Sequence, residues 1–332
     1  MARIKDVAEL AGVNRSTVSR IINGEGKFKE ETRLKVEEAM KALDYRPSAI
    51  ARSLATSSTN MVGLLVTYYT GGFFGAMMDQ VQSELDQHKK FLITAQGHHS
   101  ADGEKEAIQR FNDLCCDGYV LHSRYLSDQE LMTLSQAPTP FVLLDRYVPG
   151  LESRSITYDH TKAARLAVKH LLENGHNKIA CISGPSHREN SLRRKQGYLD
   201  EMHNADIVVK EAWCAEGDYG RQSGYIAAQR ILEAAPEVTA IFSCSEEMTV
   251  GALQYLHEAG VEVPNQISIV SFDSIDRCAD LYPTVTSVHF PISDMARTAA
   301  LKLSHLIAKS DIEINAQFEP QLKIRQSLKV IR

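Results

Sequence analysis

From residue 61 onward, eight short apolar runs recur at near-regular spacing: MVGLLVT (61–67), FLITA (91–95), GYVLH (118–122), FVLLD (141–145), SITYD (155–159), KIACIS (178–183), TAIFS (239–243) and ISIVSF (267–272). Each is short and nearly continuous in its apolar residues, the pattern of a strand buried on both faces. Amphipathic segments near 75–89, 102–114, 127–136, 160–174, 188–203, 221–235 and 246–259 separate them. Strand and helix in alternation predict βαβ units and mainly parallel sheets. The elements are too many for one sheet, and the stretches 61–158 and 160–288 repeat one layout. Two doubly wound lobes facing across a cleft follow, and ligands in such sheets sit outside the carboxyl ends of the strands.

The first 60 residues have a different period. In IKDVAELA, Ile4, Val7, Ala8 and Ala11 share one helical face, and Gly12 ends the helix. Asn14 is a good N-cap for a second helix, Arg15 to Ile22, whose Val18, Ile21 and Ile22 continue the apolar stripe until Asn23-Gly24. A third helix, Glu30 to Leu43, is expected to bury Leu34, Val36, Met40 and Leu43 against the first two. Residues 47–54 (PSAIARSL) open on a proline suited to a helix's first turn, yet so short a helix needs a partner to form. The reading is therefore an all-α head over 1–46, a hinge helix and linker over 47–60, and an α/β core over 61–332. Within the core the first lobe takes 61–158 plus 290–318, and the second takes 160–288 plus 320–332.

Charge divides the same way. Of 37 Lys+Arg and 42 Asp+Glu, residues 1–58 hold 11 and 8, so a basic head precedes an acidic body. No stretch approaches the roughly 18 uninterrupted apolar residues of a membrane helix, and MARIKDVAEL lacks the apolar region of a secretory leader, so a cytoplasmic protein is expected. The six cysteines form no CxxC pair and no metal-ligand spacing, as expected for reduced and mostly buried thiols.

The segment Gly12-Val13-Asn14-Arg15-Ser16-Thr17-Val18-Ser19-Arg20 places small polar and basic side chains on the outer face of the second helix. Those groups can reach base edges and phosphates. IKDVAELAGVNRSTVSRIING followed by YRPSAIARSLAT closely resembles the DNA-binding head of the lactose-repressor/galactose-repressor family. The β/α remainder resembles that family's periplasmic-binding-protein-like core along its whole length. The resemblance implies that Arg15, Ser16 and Arg20 read bases and that Lys5, Thr17 and Asn23 position phosphates. It also implies that Ala51 and Leu54 belong to a hinge helix whose leucine wedges into the minor groove, where an apolar wedge kinks the duplex; the plainer alternative is that Leu54 packs on its own head. A homodimer on pseudo-palindromic operator DNA is expected, with tetramers left open; the tail after residue 310 carries no leucine heptad and reads as a returning strand.

Within the core, GGFFGAMM (71–78), FVLLDRYVPG (141–150), GPSHRENSLRRKQGY (184–198), GDYGRQSG (217–224) and SFDSID (271–276) resemble the family's ligand shell. Position by position, Phe74, Arg188, Arg194, Tyr219 and Asp273 match ligand-contacting residues, with Asp145, Asn190, Glu246 and Phe290 as weaker additions. Sugars present hydroxyl rings and apolar faces, which calls for guanidinium and carboxylate groups beside an aromatic platform. The alternatives are an Arg194 that only forms surface ion pairs and an Asp273 that only caps the next helix. The FFGAMM, DRYVPG and LHSRYL stretches are most similar to galactose repressors and isorepressors, favouring a hexose or glycoside. Ser245-Glu246, where those proteins carry Asn-Asp, alters the hydroxyl recognition expected from that lobe.

Three rival readings are weaker. An enzyme would need more than the His98-His99, Asp102 and Glu104 group, read here as a solvated loop, and no HExxH, GxSxG, P-loop or GxGxxG follows a strand. A plain sugar-binding protein would not carry the head. A purine or nucleoside effector is the third, since Phe74 and Tyr219 could stack a base. No catalytic residue, cofactor or metal is expected.

Overall fold

The computed structural model describes residues 2–22, 26–45, 58–310, 314 and 316–331. Asn23, Ala51, Leu54 and the expected hinge helix lie outside the described residues. In the head, α1 (Ile4–Ala11), α2 (Arg15–Ile22) and α3 (Glu30–Ala42) share a core of Val7, Ala8, Ala11, Val18, Val36 and Ala39. Gly12 takes φ 65°, and from there its N–H reaches the carbonyls of Ala8 and Glu9, closing α1 with a left-handed cap. Leu34 departs from expectation and is 49% exposed. It stands two residues from buried Val36, about 200° around the helix at about 100° per residue, so the α3 stripe cannot hold both.

The core has two six-stranded sheets. The first runs β11-β5-β4-β3-β1-β2, from β1 (Met61–Val66), β2 (Phe91–Gln96), β3 (Gly118–Leu121), β4 (Phe141–Leu144), β5 (Ser155–Tyr158) and β11 (Gln317–Phe318), all parallel. The second runs β12-β10-β9-β8-β6-β7, from β6 (Ile179–Ser183), β7 (Cys214–Glu216), β8 (Ala240–Ser243), β9 (Ser268–Asp273), β10 (Thr286–His289) and β12 (Gln321–Lys323), with only β12 antiparallel.

Among the described residues, eight α-helices complete the core: α4 (Gly72–Gln87), α5 (Ala101–Asp113), α6 (Asp128–Leu134), α7 (His160–Glu173), α8 (Glu189–Asn204), α9 (Arg221–Ala234), α10 (Glu246–Glu258) and α11 (Ile292–Ile307). Sequence reasoning placed the first seven but not α11, whose buried Met295, Ala296, Ala299, Ala300 and Leu303 pack it against α4 and the first sheet. β7 and β10 were not anticipated either. Their segments, CAE and TSVH, carry too little apolar patterning to mark a strand, and the neighbouring strand supplies the ladder.

The chain passes between sheets three times, after β5, after β10 and between β11 and β12. The Tyr158 hydroxyl donates to the His289 carbonyl at 2.8 Å, tying two of these crossings together. No described helix is long and apolar enough to cross a membrane. All six cysteines are free thiols; Cys116, Cys181, Cys244 and Cys278 are buried, Cys214 is half-buried and Cys115 exposed.

Candidate functional site

A cavity of about 420 Å³ opens between the two sheets, at the carboxyl ends of strands from both. The first lobe contributes Tyr68, Phe73 and Phe74 after β1, and His122 and Arg124 after β3. The second contributes Arg188, Asn190 and Arg194 after β6, Tyr219 after β7, Glu246 after β8, Asp273 at the end of β9 and Phe290 after β10. Eight of the nine expected effector residues thus meet in one cleft. A parallel sheet brings this about because every one of its strands points its carboxyl end the same way.

The aromatic residues form connected walls. Phe73 stacks on Phe290 across the lobes at 5.8 Å, and Phe74 sits edge-on to Phe73 at 5.0 Å and beside Tyr68 at 5.5 Å. Tyr219 holds φ 73°, and its ring occupies the space a Cβ on Gly184 would fill, so a side chain there would displace it.

Two guanidiniums enter the cavity without a carboxylate partner among the described residues. Arg194, only 5% exposed, lies over the Phe272 ring at 4.0 Å, donates Nη1 to the Cys244 carbonyl at 2.5 Å and Nε to His160 Nδ1 at 3.2 Å. It forms no surface ion pair; its neighbour Arg193 does, with Glu189. Arg188 reaches the Tyr68 hydroxyl at 3.3 Å, while its Nε and the Tyr219 hydroxyl are buried polar atoms without a hydrogen-bond partner among the described residues. Such groups cost free energy unless a ligand or water satisfies them.

The acidic residues divide by role. Asp273 accepts from the amides of Ile275, Arg277 and Cys278 at 3.4, 3.1 and 3.1 Å, so it caps the following turn while lining the cavity. Glu246 accepts from the Ser274 hydroxyl. Burial pushes its carboxyl above the ordinary range, the Asp273 charge adds to that, and the Ser274 bond opposes it. Asp145 does not line the cavity. It stands one layer behind, ion-paired to Arg124 and 2.8 Å from His160 Nε2. Burial works against its charge, but His160 and the Arg124 guanidinium outweigh it and hold the carboxyl below its ordinary range.

In the head, Arg15, Ser16 and Arg20 are exposed along α2, Thr17 is half-buried, and Lys5 is exposed on α1. Lys5, Arg15 and Arg20 form no ion pair among the described residues, and Arg20 lies 5.5 Å over the Phe28 ring. A short helix with buried Val18 beneath and unpaired cations above offers donors to phosphates and base edges.

The model for bacterial regulatory proteins of the lacI family matches residues 3–48, and that for a periplasmic binding protein-like domain matches residues 168–328. The HTH-type transcriptional regulator GalS of Salmonella typhimurium is 33% identical over 329 residues, 99% of this chain and 97% of its own. The chain belongs to the LacI family. Among solved LacI-family structures, the lac repressor dimer bound to operator and the anti-inducer ONPF is 25% identical with a TM-score of 0.88, over 99% of both chains. A transcriptional regulator CelR–cellobiose complex is 28% identical with a TM-score of 0.73, over 98% of this chain and 100% of that one. This LacI-family protein is thus a DNA-binding transcriptional regulator and not an enzyme.

Several cavity residues of this LacI-family chain escaped sequence reasoning, although the segments carrying them did not. His122 and Arg124 lie in LHSRYL, Phe73 in GGFFGAMM, and Phe272, Ser274 and Ile275 in SFDSID. Glu104 was misread as part of a solvated loop. It is 2% exposed, and it accepts from the Ser123 hydroxyl and the amides of Arg124, Tyr125 and Leu126, holding the turn that presents Arg124. His98 and His99 are exposed. Among the described residues, no group of three or more His, Cys, Asp or Glu could hold a metal ion.

Proposed function

We propose that this LacI-family regulator represses carbohydrate-utilisation genes: residues 1–46 bind pseudo-palindromic operator DNA as a homodimer, and a hexose or glycoside seated between the lobes sets operator affinity through residues 47–60. In this reading Arg15, Ser16 and Arg20 read bases. Lys5, Thr17 and Asn23 position phosphates, and Ala51 and Leu54 belong to the hinge. Arg188, Asn190, Arg194, Glu246 and Asp273 take the sugar's hydroxyls, and Phe74, Tyr219 and Phe290 take its apolar face. Asp145 acts from behind them.

The observation that carries this reading is the cross-lobe cavity, in which two guanidiniums without carboxylate partners and a connected aromatic wall converge. That is the chemistry a polyol with apolar ring faces needs. Similarity to a cellobiose complex and to an operator-bound dimer supports both halves. The test is a thermal-shift screen of hexoses, glycosides such as cellobiose, and purines, followed by titration of each hit into preformed protein–operator complexes. An effector at a hundredfold its Kd adds about 2.7 kcal/mol of stability and changes operator affinity. If no sugar alters both, the sugar assignment fails; a purine hit would show a nucleobase in the cleft. Removing residues 1–60 is expected to abolish operator binding, and equal affinity for random and palindromic duplexes would overturn the regulator's operator assignment.

A further inference from the structure

His160 opens α7 directly after the first chain crossing and is 4% exposed. Its two ring nitrogens face groups of opposite kind in different lobes. Arg194 Nε donates to Nδ1 at 3.2 Å from the second lobe, and Asp145 Oδ1 lies 2.8 Å from Nε2 at the end of β4 in the first. A guanidinium only donates and an ionised carboxylate only accepts. Both bonds form together only when the ring is neutral and carries its proton on Nε2.

The contacts continue in both directions. Asp145 Oδ2 accepts from Arg124 Nη2, which also lies 2.7 Å from His122 Nε2, and His122 Nδ1 is 3.2 Å from the Thr67 hydroxyl after β1. On the other side, Arg194 Nη1 ends on the Cys244 carbonyl after β8. An unbroken polar relay thus runs from the end of β1 to the end of β8 and crosses between the lobes at one imidazole. Tyr158, Phe290 and Phe272 enclose that ring at 5.1, 5.2 and 6.3 Å, so the titratable or charged groups facing it are Asp145, Arg194, Arg124 and Tyr158.

We infer that His160 is a positioning residue that sets the Arg194 guanidinium in the cleft and couples it through Asp145 to the first lobe, so that a ligand engaging Arg194 acts on both lobes. The inference rests on reading Arg194 as an effector contact. Phe272 and the Cys244 carbonyl fix two sides of the guanidinium, and His160 fixes the third; a ligand that pulls on Arg194 therefore pulls on Asp145 and Arg124. Burial disfavours the imidazolium, and a proton on Nδ1 would face the Arg194 N–H directly.

The test is nitrogen-detected NMR of the histidine and arginine side chains of the full-length protein without ligand. The expected result is an Nε2–H tautomer for His160 at neutral pH, titrating below the ordinary histidine range. Arg194→Leu moves that titration upward by removing a repelling cation, and Asp145→Asn moves it further downward. The Arg194 Nε–H exchanges slowly in the parent and more than about tenfold faster in His160→Leu, while His160→Gln, which keeps an acceptor, restores part of the protection. An Nδ1–H tautomer in the parent, which needs no variant to observe, would overturn the proposal. So would a titration indifferent to Arg194→Leu, or Arg194 exchange unchanged in His160→Leu. None of these readouts needs a ligand, so their failure is distinct from failure of the effector reading, which the sugar screen decides.

Discussion

Asp273 and Glu246 both line the cleft, but different partners engage them: backbone amides at Asp273 and the Ser274 hydroxyl at Glu246. Asp273 satisfies three backbone amides, so Asp273→Ala is expected to lower stability by about 1–3 kcal/mol in addition to weakening effector binding. Asp273→Asn, which keeps one acceptor oxygen, should lose less of both. Chemical denaturation of the two variants checks this, and an Asp273→Ala variant as stable as the parent would show that the cap is unimportant. The sequence offered capping and ligand contact as alternatives for Asp273; the structure gives it both a cap and a place in the cavity wall, because residues 275–278 turn back over its carboxylate. At Glu246, burial and the Asp273 charge raise the carboxyl in the folded state. A raised carboxyl contributes stability below its unfolded pKa, and that contribution is lost as pH rises through the folded value. Glu246→Gln removes the charge, so its melting temperature relative to the parent should rise toward alkaline pH and converge with it in mild acid. A pH-independent difference would mean that the side chain ionises freely in the cleft.

At the scale of the element, α3 shows how narrow a helical stripe can be. Val36 and Ala39 face α1 and α2, whereas Leu34 lies on the outer side. Val36→Ala is expected to destabilise the head by roughly 1–3 kcal/mol through a cavity among short helices, while Leu34→Ala should change stability by less than about 0.5 kcal/mol. Thermal melts of the full chain read at a head-specific probe distinguish the two. The same contrast explains why apolar residues alone overpredicted the α3 core: a leucine at the right spacing from one neighbour is at the wrong spacing from another.

For the whole molecule, one tight packing point between the lobes is at Gly72, which opens α4. A Cβ there would overlap the Cδ1 of Ile275, which follows β9 in the other lobe. Gly72→Ala should therefore act as a wedge, costing closure about 1–2 kcal/mol and weakening effector binding by roughly five- to thirtyfold. Ile275→Ala in the same chain should restore most of the affinity by making room. Calorimetry on the single and double variants measures this coupling; additive losses would place the closure contact elsewhere.

The amino-acid sequence determined the period of every long element in this protein. Runs such as MVGLLVT and KIACIS are the pattern of strands buried on both faces, as in parallel sheets covered by helices, and the switch of period near residue 60 separates head from core whatever the lobes do. It also determined which segments follow the strands, and parallel topology sends those segments to the cleft; within them Arg188, Arg194, Tyr219 and Asp273 were singled out by resemblance to the family's ligand shell. Tertiary structure decided what each side chain does there. Whether Asp145 touches the cavity or stands behind Arg124, whether Glu104 is solvated or holds the Arg124 turn, and which two lobes His160 joins are matters of a few ångströms between segments far apart in the chain. β7 and β10 follow the same rule, since their sequences are weakly patterned and pairing with strands already in place makes them regular; α11 does not, because Ile292, Met295, Ala296, Ala299, Ala300 and Leu303 recur at helical spacing and its pattern was present in the sequence.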